Sequence, residues 1–160
     1  MIIQARAIYV MGLRASAPIA EFFAHYLKFI FPNVRVVTSG VSDVFEQLSR
    51  IGEGDLLIGI SFPRYTSRSI EAMGFARQQG AALIAITDGP LSPLHSTADV
   101  CLMAKSDMSS FVDSFAAPLS LINALIVALG QRRRSEVSDY FEKMERIWSE
   151  YDVYLAKANE

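Results

Sequence analysis

The chain holds one cysteine and two histidines in 160 residues. A lone thiol, Cys101 in the apolar run VCLM, closes no internal disulfide and anchors no metal cluster. It reads as a small buried hydrophobe in a reducing, cytoplasmic setting. His25 falls within an amphipathic segment and His95 in a distant Pro-rich loop; neither has partners at ligand spacing, so no metal is expected. Charge of one sign is also lacking. Fifteen Lys and Arg stand against seventeen Asp and Glu, a net charge of −2, which removes the cationic surplus behind general nucleic-acid binding. The longest mainly apolar stretch, FAAPLSLINALIVALG, is interrupted by Pro118, Ser120 and Asn123 and reads as a buried or interfacial helix, not a membrane span. The start, MIIQARAIYVMG, has neither the length nor the cleavage site of a secretory signal. GLRAS lacks the second and third glycines of a dinucleotide fingerprint and no GxxxxGK[ST] occurs, so no cofactor is expected.

What is present is an ordinary globular composition, 51% apolar and 20% charged, in a length suited to one domain. Five short runs, AIYVM (7–11), VRVVT (34–38), LLIGI (56–60), LIAIT (83–87) and VCLMA (100–104), are rich in Val and Ile without alternating polar positions. That is the pattern of strands buried on both faces of a parallel sheet. Helical segments lie between them. In SAPIAEFFAHYLKFIF, Ile19, Phe22, Phe23, Tyr26, Leu27 and Ile30 form one stripe, with Ser16 at the cap position and Pro18 in the first turn. SDVFEQLSRIG is expected to start on Ser42 as cap with Asp43 near the positive end and to stop at Gly52. SRSIEAMGFARQQG is expected to stop at Gly80. After the fifth strand, the pattern predicts one helix over about 109–130 and another over about 135–158. The second carries the stripe Phe141, Met144, Ile147, Trp148, Tyr151 and Leu155, with QRRRS as a polar link.

Strands alternating with helices predict an α/β fold: a three-layer αβα sandwich on a five-stranded parallel sheet. Ligands of such sheets lie beyond the carboxyl ends of the strands, where the strand order reverses. Three loops reach that edge: GLRAS ending in Ser16, SFPRYTS ending in Ser67, and TDGPLSPLH. Hydroxyls and helix N-termini on one edge make an anion site, and phosphate is the common anion. Arg14 and Arg64 add charge-assisted donors. Each residue also has a plainer role: Ser16, Ser42 and Ser67 serve equally as helix caps, and the arginines as solvated surface.

Gly12 to Ser16 after the first strand, SFPRYTS after the third, and GAALIAITD followed by SPL resemble the sugar isomerase (SIS) domain. The similarity is greatest to the version in RpiR-type bacterial transcriptional regulators, and it covers about residues 5–130, with a helical extension over about 131–160. The resemblance implies a flavodoxin-like sheet that binds a phosphorylated sugar at its carboxyl edge and pairs into homodimers or dimers of dimers. The family's phosphate loop reads S-x-S-G-x-T. Ser61 matches its first serine and Thr66 its threonine, while Pro63 and Arg64 stand where the family has Ser-Gly. On this reading the phosphosugar contacts are Ser16, Ser61, Arg64, Thr66, Ser67, Thr87 and Ser92, and Phe62, Tyr65 and His95 tune specificity. No helix-turn-helix pattern precedes the first strand, so DNA would be met only through such a domain outside this chain.

Three functions fit these residues. The first is a phosphosugar-sensing effector domain that regulates genes of carbohydrate metabolism, acting through one dimer arrangement that binds the ligand better than another. An aldose–ketose phosphosugar isomerase is the second; it requires a base beside the substrate, for which Glu71 and His95 are the candidates. The third is a dimerisation module without a ligand, to which Pro63 and Arg64 point.

Overall fold

The computed structural model describes residues 1–106 and 111–154. Five parallel strands, β1 (Ile8–Gly12), β2 (Val34–Val37), β3 (Leu56–Ile60), β4 (Ala82–Thr87) and β5 (Val100–Met103), pair in the order β2-β1-β3-β4-β5. Each run expected to be a strand is one, to within a residue at either end. Alternate residues feed two cores. Ile8 and Val10 of β1, Leu56, Ile58 and Ile60 of β3, and Ile84 and Ile86 of β4 pack with Phe23 and Leu27 of α1 (Ala17–Leu27) and Ile122 and Leu129 of α4 (Ala116–Arg132). On the other face Tyr9, Met11, Leu57, Leu83 and Ala85 meet Val44 of α2 (Val44–Gln47) and Ala72, Met73 and Ala76 of α3 (Ser67–Gln78). This is the expected αβα sandwich, and burial on both faces explains the unbroken apolar runs. The edge strand β5 departs from it: Val100 and Met103 are exposed.

Helix ends differ from expectation in instructive ways. Helix α2 is capped by Asp43, not Ser42. Its carboxylate accepts from the Phe45 N–H at 3.0 Å while Glu46 reaches back to the Asp43 N–H at 3.2 Å, a reciprocal capping box. Beyond Gln47 the chain tightens into turns bonded three residues apart, Ser49 N–H to Glu46 O and Ile51 N–H to Leu48 O. This buries Leu48 and Ile51 and ends the α-helix five residues before Gly52. Helix α3 closes as expected, Gly80 taking φ +83°, where a side chain would be strained.

Helix α4 begins at Ala116, and residues 111–115 approach it as non-helical chain; Ser109 lies outside the described residues. Helix α5 spans Arg134–Glu150, separated from α4 at Arg133 by a break in backbone geometry. Of its expected stripe, Leu155 lies outside the described residues. Phe141 and Tyr140 pack against Phe29 at the end of α1, with ring centroids 5.3 Å apart in both cases, and Phe141 meets Trp148 at 6.2 Å. Among the described residues no helix is long and apolar enough to cross a membrane.

Candidate functional site

The strand order reverses between β1 and β3. The helix after β1 covers one face of the sheet and the helix after β3 the other, so a crevice opens where the two loops part. A cavity of about 380 Å³ lies there, within the usual span of small-molecule sites, roughly 300–1,000 Å³. Its lining comes from residues 13–16, residues 61–64, Thr66, and Asp113 and Phe115 from the approach to α4.

Gly12 brings the first loop close. A Cβ there would lie 2.4 Å from the Ser16 carbonyl oxygen and 2.7 Å from the Ala20 Cβ, so only glycine lets the chain turn directly from strand to helix. The turn itself is a short 3-10 stretch, Arg14–Ser16, entered with Arg14 at φ +55°. Ser16 consequently has helical dihedrals, φ −82° and ψ −9°, and its side chain makes no cap bond. A capping residue is normally extended so that its oxygen can reach back to the helix N–H groups; Ser16 cannot. The residue is buried at the cavity wall, and its hydroxyl, which makes no hydrogen bond among the described residues, keeps access to the cavity.

The second loop repeats the device. The Ser61 backbone N–H is fixed to Ile86 O at 3.1 Å, while its hydroxyl makes no hydrogen bond among the described residues and keeps access to the cavity. Arg64 takes φ +69°, the region that favours glycine, so the loop keeps the backbone turn of a glycine while carrying a guanidinium. That turn costs an L-residue roughly 1–2 kcal/mol. Of the three non-glycine residues with positive φ among the described residues, two, Arg14 and Arg64, therefore line the same cavity, and strain of this kind concentrates at functional sites. The Arg64 guanidinium meets the Asp113 carboxylate at 3.3 Å.

Thr66 is the cap of α3. Its Oγ1 accepts from the Ser69 N–H at 3.1 Å and lies 2.8 Å from the Ser69 Oγ. Either hydroxyl can donate in that pair; where Ser69 donates, the Thr66 proton is free for another acceptor, and Thr66 lines the cavity.

The other expected contacts fall elsewhere. Ser67 is the first residue of α3 and is exposed, because Thr66 occupies the cap position. Thr87 and Ser92 are buried but pair with each other, Oγ to Oγ at 2.8 Å, and do not line the cavity. Thr87 Oγ1 also sits 3.1 Å from Asp88 Oδ1, to which the Tyr65 hydroxyl donates. Burial first, and then the bond to Asp88, push the Tyr65 phenol above its ordinary value. This network ties the β3–α3 loop to the loop after β4 and turns Tyr65 away from the cavity, whereas Phe62 lines it, 5.9 Å from the Phe115 ring. Glu71 is exposed and pairs with Arg68 at 3.6 Å, and His95 is exposed in its turn; neither lines the cavity. Sequence reading missed Asp113 and Phe115, because the segment before α4 was expected to be helical.

Two serine hydroxyls without a partner among the described residues, two helix starts and two arginines thus meet at one crevice of a doubly wound α/β domain. Comparison with known proteins places it more closely: residues 1–128 match the SIS domain, and the chain belongs to that family. It is similar to the HTH-type transcriptional regulator HexR of Pseudomonas aeruginosa, 29% identical over 151 residues that make up 90% of this chain and 51% of that protein. The chain spans about half the length of the curated relatives it matches. Among solved structures, the sugar isomerase domain of an RpiR transcription factor from Sphaerobacter thermophilus superposes with a TM-score of 0.85 at 27% identity, over 91% of this chain and 81% of that one. The Vibrio vulnificus NanR protein complexed with ManNAc-6P shares the fold, with a TM-score of 0.76 at 21% identity over 97% of this chain and 59% of that one.

Proposed function

We propose that the cavity binds the phosphate of a phosphorylated sugar and that the domain acts as the cytoplasmic, dimeric effector part of an RpiR-type regulator of carbohydrate genes. The observation that carries this reading is the convergence of the Ser16 and Ser61 hydroxyls, which make no hydrogen bond among the described residues, with left-handed Arg14 and Arg64 on one cavity. Phosphate oxygens are acceptors only and match this set of donors. The sugar ring would extend toward Phe62, Phe115 and Asp113. The regulator relatives and the sugar-phosphate complex of NanR support the assignment. Glu71 and His95, the candidate bases for isomerisation, stand outside the cavity lining, which favours sensing over turnover. DNA contact is assigned to a helix-turn-helix domain, the class to which HexR belongs.

Thermal melts with ManNAc-6P, other sugar phosphates and the corresponding free sugars test the reading. A binder selective for the native state raises the midpoint by mass action; phosphorylated sugars should do so and free sugars should not. Equal shifts from both kinds of ligand, or none from any, would overturn it. Aldose–ketose turnover of a binding sugar phosphate, abolished in Glu71→Gln, would replace sensing with catalysis.

A further inference from the structure

The cavity contains its own competitor for an anion. Among the described residues its charged lining is Arg14, Arg64 and Asp113, and the only ion pair among these is Arg64 to Asp113 at 3.3 Å. The two partners are unequal: the Arg64 side chain is 67% exposed and the Asp113 side chain 17%. A carboxylate thus reaches from the cavity wall to an exposed cation at the mouth. A phosphomonoester near neutral pH carries close to two negative charges, which the two arginines alone would balance. Asp113 leaves that balance one charge short.

We propose that Asp113 is a built-in decoy for the incoming phosphate, holding Arg64 in the empty state and releasing it when a phosphorylated ligand binds. The inference rests on the anion-site reading above and adds its regulation. Asp113 stands three residues before α4, whose Pro118, Ile122 and Leu129 are buried and which packs on α1. The pair therefore bridges the β3–α3 loop to the approach of α4, and ligand binding removes the bridge. A ligand shifts an equilibrium only through a difference in its interactions with the two states. Here the difference is explicit, since Arg64 cannot serve the carboxylate and the phosphate together. Linkage makes it measurable: whatever the pair subtracts from ligand affinity, the ligand subtracts from the pair.

The test is a double-mutant cycle on the full chain with inorganic phosphate as probe, followed by amide chemical shifts. Asp113→Asn should tighten phosphate binding about two- to fivefold, the range equivalent to an exposed ion pair. In an Arg64→Ala background the same change should yield less than half that gain, because the decoy then has nothing to hold. Phosphate should also shift the amides of residues 111–115 in the wild type, and less in Asp113→Asn, where the bridge is already open. Asp113→Ala is read in the same way if the asparagine variant does not fold. Saturable phosphate binding by the wild type that is unchanged or weaker in Asp113→Asn, or a gain of equal size without Arg64, overturns the decoy and leaves the anion site standing. No saturable binding by the wild type or by Asp113→Asn overturns the anion site itself.

Discussion

Replacing Thr66 with valine separates what this residue does for the fold from what it does for a ligand. Valine keeps the shape of threonine and removes one oxygen. That oxygen accepts from the Ser69 N–H and pairs with the Ser69 hydroxyl. Loss of a cap costs about 1 kcal/mol, and Ser69, 1% exposed, has no water to replace its lost partner, adding about 1 kcal/mol more. A total of about 2 kcal/mol corresponds to a fall in melting temperature of about 4–8 °C for a chain of this size. Thr66→Ser keeps both bonds and should stay within about 1 kcal/mol of the wild type. Ser69→Ala leaves the cap oxygen in place and should fall between the two. The three variants are measured by thermal melts in phosphate-free buffer and again with a sugar phosphate and its free sugar. Because Thr66 lines the cavity, on the anion-site reading Thr66→Val should weaken the sugar phosphate more than the free sugar. Thr66→Val melting within about 1 °C of the wild type would refute the energetic reasoning. Equal loss of both ligands would refute a contact between the Thr66 hydroxyl and the phosphate.

Three further outcomes are expected. Gly12→Ala places a methyl 2.4 Å from a backbone oxygen; overpacking of this kind costs about 1–3 kcal/mol, read as a lower urea midpoint at unchanged slope. Asp55 and Asp99 are held below the usual carboxylate range: burial pushes each up, but Arg6 and the Gly52 N–H outweigh it for Asp55, and the Leu83 N–H and Arg77 for Asp99. A lowered folded-state value means that the unfolded chain binds the proton more readily, so these groups stabilise fully above about pH 4 and lose that contribution as pH falls through their lower folded values. Urea midpoints should therefore drop in acid, with a shallower drop in Asp55→Asn. The Cys101 thiol is pushed up by burial and then by the charge of Asp88; a disulfide reagent near pH 7.5 should react with it far more slowly in the native chain than in urea, and equal rates would contradict its placement.

The sheet was legible because its signal is collective. Five runs without alternation leave few ways to bury both faces, and small errors at strand ends do not disturb the register. Caps were less legible, since several hydroxyls crowd each helix start and only backbone geometry selects among them. Asp43 outcompeted Ser42 because Glu46 stands three residues on to complete the box, and Thr66 outcompeted Ser67 by one position. The break before α4 left no periodic trace, because Phe111, Val112 and Phe115 continue an apolar pattern that helical spacing also allows.

The site was half legible for a related reason. Loop position told which hydroxyls reach the sheet edge, not which are free there. Ser16, Ser42, Ser61, Thr66, Thr87 and Ser92 look alike in sequence, yet Thr87 and Ser92 satisfy each other while Ser16 and Ser61 satisfy nothing nearby. What separates them is backbone direction: Ser16 is turned into a helical conformation by the left-handed Arg14 before it, and so cannot cap. Arg64 takes the same left-handed turn in its own loop, where Thr66 two residues on keeps the cap. Side-chain identity and backbone shape are normally linked at such a turn, glycine supplying the shape at the expense of any side chain. Here the strain of a left-handed arginine, roughly 1–2 kcal/mol, is accepted in exchange for a guanidinium at the cavity mouth. A loop that needed the turn alone would be more stable with glycine, and the anion-site proposal supplies a use for the arginine's charge.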